Sequence, residues 1–193
     1  MTTSIKLAIL FFRIKSDIEN MSLRIRNSVK IILLNEKNEI LLMCADDPKT
    51  TTPDGKYHGK FWFLIGGEIK EGESIEEAAI RELHEETGIT EEEVMFGPTV
   101  WYGDFELMLN ETLTHLKQTF IVAKTKKENV SFTKLDHWEK NVLMKLEWFS
   151  LGKIKNCNEI IYPVLLDQYL PDIIAEKYPE KPIAIDLAKQ PKK

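Results

Sequence analysis

The sequence predicts an α/β protein in which a mixed β-sheet is sandwiched between helices. Three observations predict this class. Apolar stretches typical of strands lie both before residue 66 and beyond residue 93, an amphipathic helix separates them at 74–87, and a second helical pattern follows at 158–176. Strands interleaved with helices favour a sheet that carries helices on its faces.

The first predicted elements are two strands joined by a hairpin turn. Residues 22–34 and 39–45 are rich in β-branched and other apolar residues, and the segment 35–38 between them is polar. Residues 46–60 combine proline, glycine, threonine and charged residues, which is typical of a loop. Residues 61–65 then predict a buried strand.

The helix at 74–87 has clear start and stop signals. Ser74 is a favourable N-cap, and Glu77 completes a capping box with it. Gly88 can end the helix in a left-handed conformation.

The second half of the chain predicts more strands and a closing helix. Strand-like stretches cover 94–108 and 113–124, a polar loop covers 125–142, and a short last strand covers 146–149. The helical pattern at 158–176 is interrupted by two prolines.

We divide the chain into an extension, one domain and a tail. Residues 1–20 are expected to lie outside the fold, residues 21–176 to form the domain, and the proline- and lysine-rich residues 177–193 to be loose. A single domain suits a chain of 193 residues. We expect a monomer or a homodimer.

Charge and cysteine usage narrow the partners and the compartment. The formal net charge is −5 and there is no large basic block, which argues against a nucleic-acid polymer or a membrane surface as partner. A small phosphorylated substrate is compatible with this charge, because a metal ion can supply positive charge locally. The two cysteines form no metal-binding pair, and the apolar segment near the N-terminus is too short to span a membrane. A cytoplasmic protein is therefore expected.

Acidic residues lie on the inward face of the helix at 74–87. On a helical wheel, Glu82 and Glu86 fall within about 20° of Ile75, and Glu85 lies at the border of that face. The same face carries the apolar residues Ala78, Ala79 and Leu83. Carboxylates crowded on an inward face repel each other and are costly to desolvate. Mg²⁺ or Mn²⁺, which prefers oxygen ligands, would compensate their charge.

A glycine-rich turn precedes this helix. Gly66 and Gly67 follow the predicted strand at 61–65, and the acidic segment 68–73 leads into the helix. Glycines allow a backbone to approach a ligand closely and to expose its amides and carbonyls.

Residues 67–89 resemble the signature of the Nudix hydrolase (MutT-like) family. Gly67 is followed by Glu73 and by Arg81-Glu82-Leu83-His84-Glu85-Glu86-Thr87-Gly88-Ile89, which matches the Nudix box without a gap. Ile65 departs from the proline that many relatives have before the glycine pair, but no implied ligand is lost. The resemblance implies the Nudix fold and hydrolysis of a phosphoanhydride bond in a nucleoside diphosphate derivative.

The resemblance also implies residue roles. The implied metal ligands are Glu82, Glu85 and Glu86, with a backbone carbonyl of Gly66 or Gly67. Arg81 and Glu73 would orient the ligating carboxylates. Glu85 or Glu86 could accept the proton of the attacking water, and Glu139, ahead of the predicted last strand, is a further candidate.

Substrate contacts are less specific. Lys56 and Lys60 could meet phosphates, and Trp62 or Tyr102 could stack on a base. A (deoxy)nucleoside triphosphate, oxidised ones included, is the default substrate, since the extra signatures of other Nudix subclasses are absent. Two alternatives stay open. One is a catalytically inactive nucleotide-binding or regulatory module of the same fold, and the other is a diphosphate isomerase.

Overall fold

The computed structural model describes residues 23–50, 60–109, 112–135 and 139–187. The strands in these ranges are β1 (Arg24–Leu34), β2 (Ile40–Asp46), β3 (Lys60–Leu64), β4 (Val94–Leu109), β5 (Thr112–Thr125), β6 (Leu143–Phe149), β7 (Ile160–Tyr162) and β8 (Ile183–Ala184). The helices are α1 (Ile75–Thr87), α2 (Glu139–Val142), α3 (Leu151–Lys155) and α4 (Leu166–Ile174), and Glu91–Glu93 forms a 3₁₀ turn. Across the described ranges, no helix has the length and apolar character needed to cross a membrane.

The described strands form one mixed sheet in the order β7-β3-β2-β1-β5-β4-β8, with β6 paired to β2. β1 runs parallel to β5, while β2 is antiparallel to both β3 and β6. The α/β class with a mixed sheet is therefore confirmed.

Strands β1 and β2 separate from each other directly after the turn that joins them. The side chain of Asn35 accepts hydrogen bonds from the backbone N–H groups of Lys37 and Glu39, both at 2.9 Å, which confirms the predicted turn. The paired register of β1 and β2 contains just Leu34 and Ile40. Beyond this pair, segment 65–69 lies along the edge of β1 in place of β2. Backbone carbonyls of this segment accept hydrogen bonds from backbone N–H groups of β1. The two strands therefore diverge, and a cleft lies between them.

Two apolar layers pack on opposite faces of the sheet. On one face, Val29, Ile31 and Leu33 of β1 lie in the same core cluster as buried residues of α1. On the other face, Ile32 and Leu34 of the same strand share a cluster with residues of α3 and α4. This alternation follows from the two-residue repeat of a strand. Helices cover both faces, so the predicted sandwich is confirmed.

Local signals set the ends of α1. The Ser74 hydroxyl accepts from the backbone of Glu77, and the Glu77 carboxylate accepts from the backbone of Ser74, so the predicted capping box is present. Gly88 has φ 70° and donates its N–H to the carbonyl of His84. Ile75 differs from the expectation, because it is 37% exposed at the start of the helix rather than part of the buried face.

The segment after residue 157 departs from the predicted single helix. Residues Ile160–Tyr162 form β7, which pairs in parallel with β3, and the helix is confined to Leu166–Ile174. β6 is accordingly not the last strand. The helical pattern at 158–176 was misleading because an available sheet edge decides between strand and helix for a short apolar run.

The chain beyond Lys177 is packed as far as the structure describes it. β8 pairs with β4, and the backbone N–H of Ile185 donates to the carbonyl of Tyr102 at 2.9 Å. Ile185 and Leu187 are 7% and 2% exposed. The prediction of a loose tail from residue 177 is therefore wrong up to Leu187. Residues 1–20 and 188–193 lie outside the described residues.

Candidate active site

A cleft of about 660 Å³ lies where β1 and β2 diverge. One part of its wall is an acidic end, formed by Glu82, Glu85 and Glu86 of α1 together with the turn Gly66–Glu68. Another part is an aromatic wall, formed by Phe61, Phe63, Phe105 and Tyr162. The cleft thus combines charged oxygen atoms with flat apolar surfaces, which is the chemistry of a small-molecule site.

Glu86 is the most deeply placed of the three carboxylates. It is 7% exposed, and its Oε2 accepts a hydrogen bond from the backbone N–H of Gly66 at 2.7 Å. Burial raises the pKa of the Glu86 carboxyl, while the nearby Lys30 ammonium and the Gly66 N–H act in the opposite direction. The inward position predicted for Glu86 is confirmed.

Lys30 is a cation that sequence reasoning missed. It lies within β1, and its ammonium donates to the carbonyls of Gly66 at 2.6 Å and Leu64 at 3.3 Å. It also lies 5.1 Å from the ring centroid of Phe63. Burial lowers the pKa of Lys30, and the charge of Glu86 opposes that shift. A lysine that interrupts the apolar run from Val29 to Leu34 was the available signal.

Arg81 connects the turn before the helix to the acidic end. Its Nε and Nη2 donate to the two oxygens of Glu73 at 2.6 and 2.8 Å, and Nη1 donates to Glu82 at 2.6 Å and to Glu85 at 3.3 Å. These hydrogen bonds lower the pKa of Glu73 to about 2, and they raise the pKa of Arg81. One positive charge is therefore shared among three carboxylates.

The donor set fits a hard divalent cation. Because Arg81 is shared among three carboxylates and Glu86 adds another, negative charge remains in excess at the acidic end. All of these side chains offer oxygen, the atom type that Mg²⁺ and Mn²⁺ prefer. A Cβ on Gly67 would collide with the carboxylate of Glu82, so glycine is what allows that carboxylate to reach the turn.

The carboxylates do not converge on one point. Within the described ranges, no three His, Cys, Asp or Glu side chains form a ready metal cluster. The reason is visible in the hydrogen bonds, since Arg81 holds Glu82 and Glu85 while Gly66 N–H holds Glu86. The carbonyl of Gly66 accepts a hydrogen bond from the Lys30 ammonium, and the carbonyl of Gly67 accepts one from the backbone N–H of Val29.

Glu139 lies in the same cleft. It begins α2 and lines the cavity together with Glu85 and Glu86. The charge of Glu139 adds to the effect of burial in raising the pKa of Glu86. The structure therefore brings this sequence-predicted residue to the acidic end, and its role as a proton acceptor stays a prediction.

Two predicted base-stacking residues lie elsewhere. Trp62 is 2% exposed in the apolar core, and its indole N–H donates to Glu159 at 2.6 Å. Tyr102 is half exposed and lines a separate groove beside β8. The structure therefore brings neither residue to the cleft. Strand alternation turns Trp62 to the face opposite Phe61 and Phe63.

The predicted phosphate-binding lysines find no support. Lys60 is exposed at the start of β3 and does not line the cleft. Lys56 lies outside the described residues. The cations that do line the cleft are Arg26, Lys30, Lys70, Arg81 and Lys134.

The aromatic wall was not predicted, because its residues come from strands that are distant in the sequence. Phe105 and Tyr162 stack with ring centroids 5.8 Å apart and planes 18° apart, and Phe61 meets the edge of Tyr162 at 6.0 Å. These residues come from β4, β7 and β3.

Comparison with known proteins identifies the family. The family model of the NUDIX domain matches residues 24–168, which is most of the chain. This protein therefore belongs to the Nudix family of hydrolases.

Individual relatives are more distant. The chain is 43% identical over 58 residues to a putative 8-oxo-dGTP diphosphatase of Bacillus subtilis (strain 168), a match that covers 30% of this chain and 32% of that relative. The match thus spans about a third of the relative's length. The crystal structure of a MutT protein from Methanosarcina mazei Go1 is similar at 26% identity and TM-score 0.54, covering 84% of this chain and 100% of that chain. The dihydroneopterin triphosphate pyrophosphohydrolase of E. coli shares the fold at 15% identity and TM-score 0.54, covering 80% of this chain and 99% of that chain.

Proposed function

We propose that this enzyme uses Mg²⁺ or Mn²⁺ to hydrolyse a phosphoanhydride bond in a nucleoside diphosphate derivative. (Deoxy)nucleoside triphosphates, including oxidised ones, are the first substrates to test. The observation that carries the proposal is one cleft with an acidic end and an aromatic wall. A nucleotide has both matching parts, since its phosphates require cations and its base offers a flat surface for stacking.

The similarity to named relatives supports this substrate class. A putative 8-oxo-dGTP diphosphatase and a MutT protein are among the proteins that this chain resembles. The cytoplasmic location, the exclusion of nucleic-acid polymers, and a monomeric or homodimeric state stay predictions alongside the proposed activity.

Each residue of the acidic end would have a defined task. Glu82, Glu85 and Glu86 would hold the divalent ion, which supplies positive charge against the phosphate oxygens and makes water more acidic. Arg81, fixed by Glu73, would keep Glu82 and Glu85 within reach of the cleft. Lys30 would stabilise the Gly66 turn and offset the charge of Glu86.

Glu139 is our candidate for accepting the proton of the attacking water. It lines the same cleft as Glu86, on a different element from the helix that carries the proposed metal ligands. Glu139→Gln should lower kcat by about 100-fold, within the usual range for a general base, while leaving metal affinity nearly unchanged. An unchanged turnover rate would transfer the role to Glu85 or Glu86.

The aromatic wall is our candidate for holding the base. Phe105→Ala should raise KM by about ten-fold, the effect of losing one stacking partner, with a smaller change in kcat. Tyr102→Ala is the matched control, because Tyr102 is an exposed aromatic of the same strand that lines a different groove. Equal effects of the two variants would argue against base binding at the wall.

A nucleotide panel tests the activity itself. Release of phosphate or pyrophosphate should be measured with Mg²⁺ and with Mn²⁺, using the wild type, Glu85→Gln and Glu86→Gln. Glu76→Gln is the control, since Glu76 is an exposed acid of the same helix. We expect turnover in the wild type and in Glu76→Gln, and a loss of about 100-fold or more in the other two.

The same panel addresses the two alternatives. An inactive binding module would bind nucleotides without releasing phosphate from any of them. A diphosphate isomerase would need a reactive cysteine in the site. Cys44 is 2% exposed in the apolar core, and neither Cys44 nor Cys157 lines the cleft, so the described residues favour hydrolysis.

A further inference from the structure

The floor of the cleft carries a row of polar side chains on β1. Arg26, Ser28 and Lys30 alternate with residues of the opposite face, and all three line the cleft. Lys30 is already engaged with two backbone carbonyls. Arg26 differs from Lys30, because its buried Nε has no hydrogen-bond partner in the part of the chain that the structure describes.

Arg26 holds a buried donor without an acceptor. Among the described residues, its Nε is the one buried side-chain nitrogen or oxygen that lacks a hydrogen-bond partner. The nearest carboxylate oxygen, Oε2 of Glu68, is 3.6 Å away and accepts a hydrogen bond from Nη2 of Arg24 at 2.8 Å. A buried, unsatisfied donor destabilises a fold, so its retention requires an explanation.

Arg26 lies between the acidic end and the aromatic wall. On one side of β1, Glu68 forms a β-bridge with Ser28. The backbone carbonyl of Glu68 accepts a hydrogen bond from Arg81. On the other side, Arg26 is the register partner of Leu116 in β5, and Leu116 is the partner of Phe105 in β4. A nucleotide with its base at the wall and its cleaved bond at the acidic end would pass over Arg26.

We propose that Arg26 donates a hydrogen bond to a phosphate oxygen of the bound nucleotide. The identity of this ligand rests on the proposed function. A guanidinium suits the task, because it keeps its charge and presents a planar fork of donors that matches phosphate geometry. Arg81 is less available, since its nitrogens already donate to Glu73, Glu82 and Glu85.

Substrate kinetics give the first test. With the best nucleotide of the panel, Arg26→Gln should raise KM by about ten-fold or more, which is the loss of one charge-assisted hydrogen bond, and should change kcat less. Arg26→Lys should fall between Gln and the wild type. Arg24→Gln, which removes an equal charge from the same strand outside the cleft, should stay close to the wild type. Equal KM values for Arg26→Gln and Arg24→Gln would overturn the proposal.

Thermal stability separates binding from a structural role. Without ligand, Arg26→Gln should melt at the same temperature as the wild type or higher, because an unsatisfied buried donor has been removed. A clearly lower melting temperature together with an unchanged KM would assign Arg26 to the fold rather than to the substrate.

A third measurement does not depend on turnover. Inorganic tripolyphosphate with Mg²⁺ should raise the melting temperature of the wild type and of Arg24→Gln, and raise that of Arg26→Gln much less. No stabilisation of the wild type, or equal stabilisation of all three proteins, would refute the anion site. An enzyme that cleaves no nucleotide but shows the Arg26-dependent shift would refute the proposed function and leave this site standing.

Discussion

Two adjacent glycines allow the acidic end to form. Gly66 has φ 120°, a conformation that favours glycine, and a Cβ there would collide with the backbone carbonyl of Val29. Gly67 has no such constraint, but a Cβ there would collide with the carboxylate of Glu82. Gly66 is therefore required by the backbone conformation of the turn, whereas Gly67 leaves room for the carboxylate of Glu82, which we assign to the site.

These two glycines should respond differently to alanine. Gly66→Ala should lower the free energy of unfolding by about 1–3 kcal/mol or more, because the strained backbone conformation and the clash add. Gly67→Ala should lower turnover by about 100-fold with a smaller loss of stability, since the Glu82 carboxylate can move aside. Chemical denaturation and steady-state kinetics would measure both effects.

Gly152→Ala is the control for both variants. A Cβ at Gly152 would meet only the Ser150 hydroxyl oxygen at an ordinary 3.9 Å. If Gly67→Ala kept full activity, the close approach of Glu82 to the turn would have no part in catalysis.

At this scale, the sequence predicted the acids better than their surroundings. Glu82 and Glu86 could be placed on an inward face because helical periodicity is local and the helix has clear caps. Trp62 was expected to stack on a base, but it lies in the core. Residues 61–64 of β3 are all apolar, so the sequence does not show which of them face the cleft. Phe105 and Tyr162 could not be foreseen, since they lie on strands near opposite ends of the sheet order and their rings meet only in the folded protein.

At the scale of elements, Arg81 ties the turn before α1 to the acidic half of that helix. The fork to Glu73 closes the turn, and Nη2 also donates to the carbonyl of Glu68 at 3.0 Å. The helix and the turn are therefore positioned by one guanidinium.

This tie gives the fold a defined acid sensitivity. The Glu73 pKa is lowered from 4.5 to about 2, so the stabilisation is present above pH 4.5 and is lost as pH falls towards 2. Glu73→Gln should lower the free energy of unfolding near neutral pH by about 1 kcal/mol and lessen its decline between pH 4.5 and 2.

Denaturation at several pH values would measure this effect, with Glu76→Gln as the control for removing one acid from the exposed helix face. A parallel decline of Glu73→Gln and the wild type would show that the ion pair contributes nothing to acid sensitivity.

Elements whose limits depend on local chemistry were predictable, and those that need a distant partner were not. α1 begins and ends at Ser74 and Gly88 through contacts within a few residues. β7 is a strand because β3 offers an edge about a hundred residues earlier in the chain. The same reasoning applies to β8, which pairs with the edge of β4.

At the scale of the whole molecule, the last described segment closes one apolar layer. Ile185 and Leu187 join the core cluster that contains α3 and α4, and they lie on Gly103, where a Cβ would collide with them. The carbonyl of Leu187 also accepts from the backbone of Val164 at 3.3 Å. The segment after α4 is therefore part of the domain.

Leu187→Ala should lower the free energy of unfolding by about 2–5 kcal/mol, the usual range for a buried leucine. Ile183→Ala should change it by less than about 0.5 kcal/mol, because Ile183 is 49% exposed in the same segment. Thermal or chemical denaturation of both variants and the wild type would measure these changes in the free energy of unfolding. Equal stabilities would mean that the segment is not held in the core in solution.

The sandwich itself was predictable from the order of its elements, because helices that alternate with strands must cover sheet faces. The cleft was not, because it arises where β1 and β2 part after a single register pair.

Metal binding tests the central claim most directly, because the proposed activity depends on the carboxylates of α1. Mn²⁺ affinity should be measured for the wild type, Glu86→Gln and Glu76→Gln by electron paramagnetic resonance, in which the signal of free Mn²⁺ decreases on binding. We predict that the dissociation constant rises by about ten-fold or more in Glu86→Gln and stays at the wild-type value in Glu76→Gln. Equal Mn²⁺ affinity in all three proteins would contradict the assignment of the acidic end as the metal site.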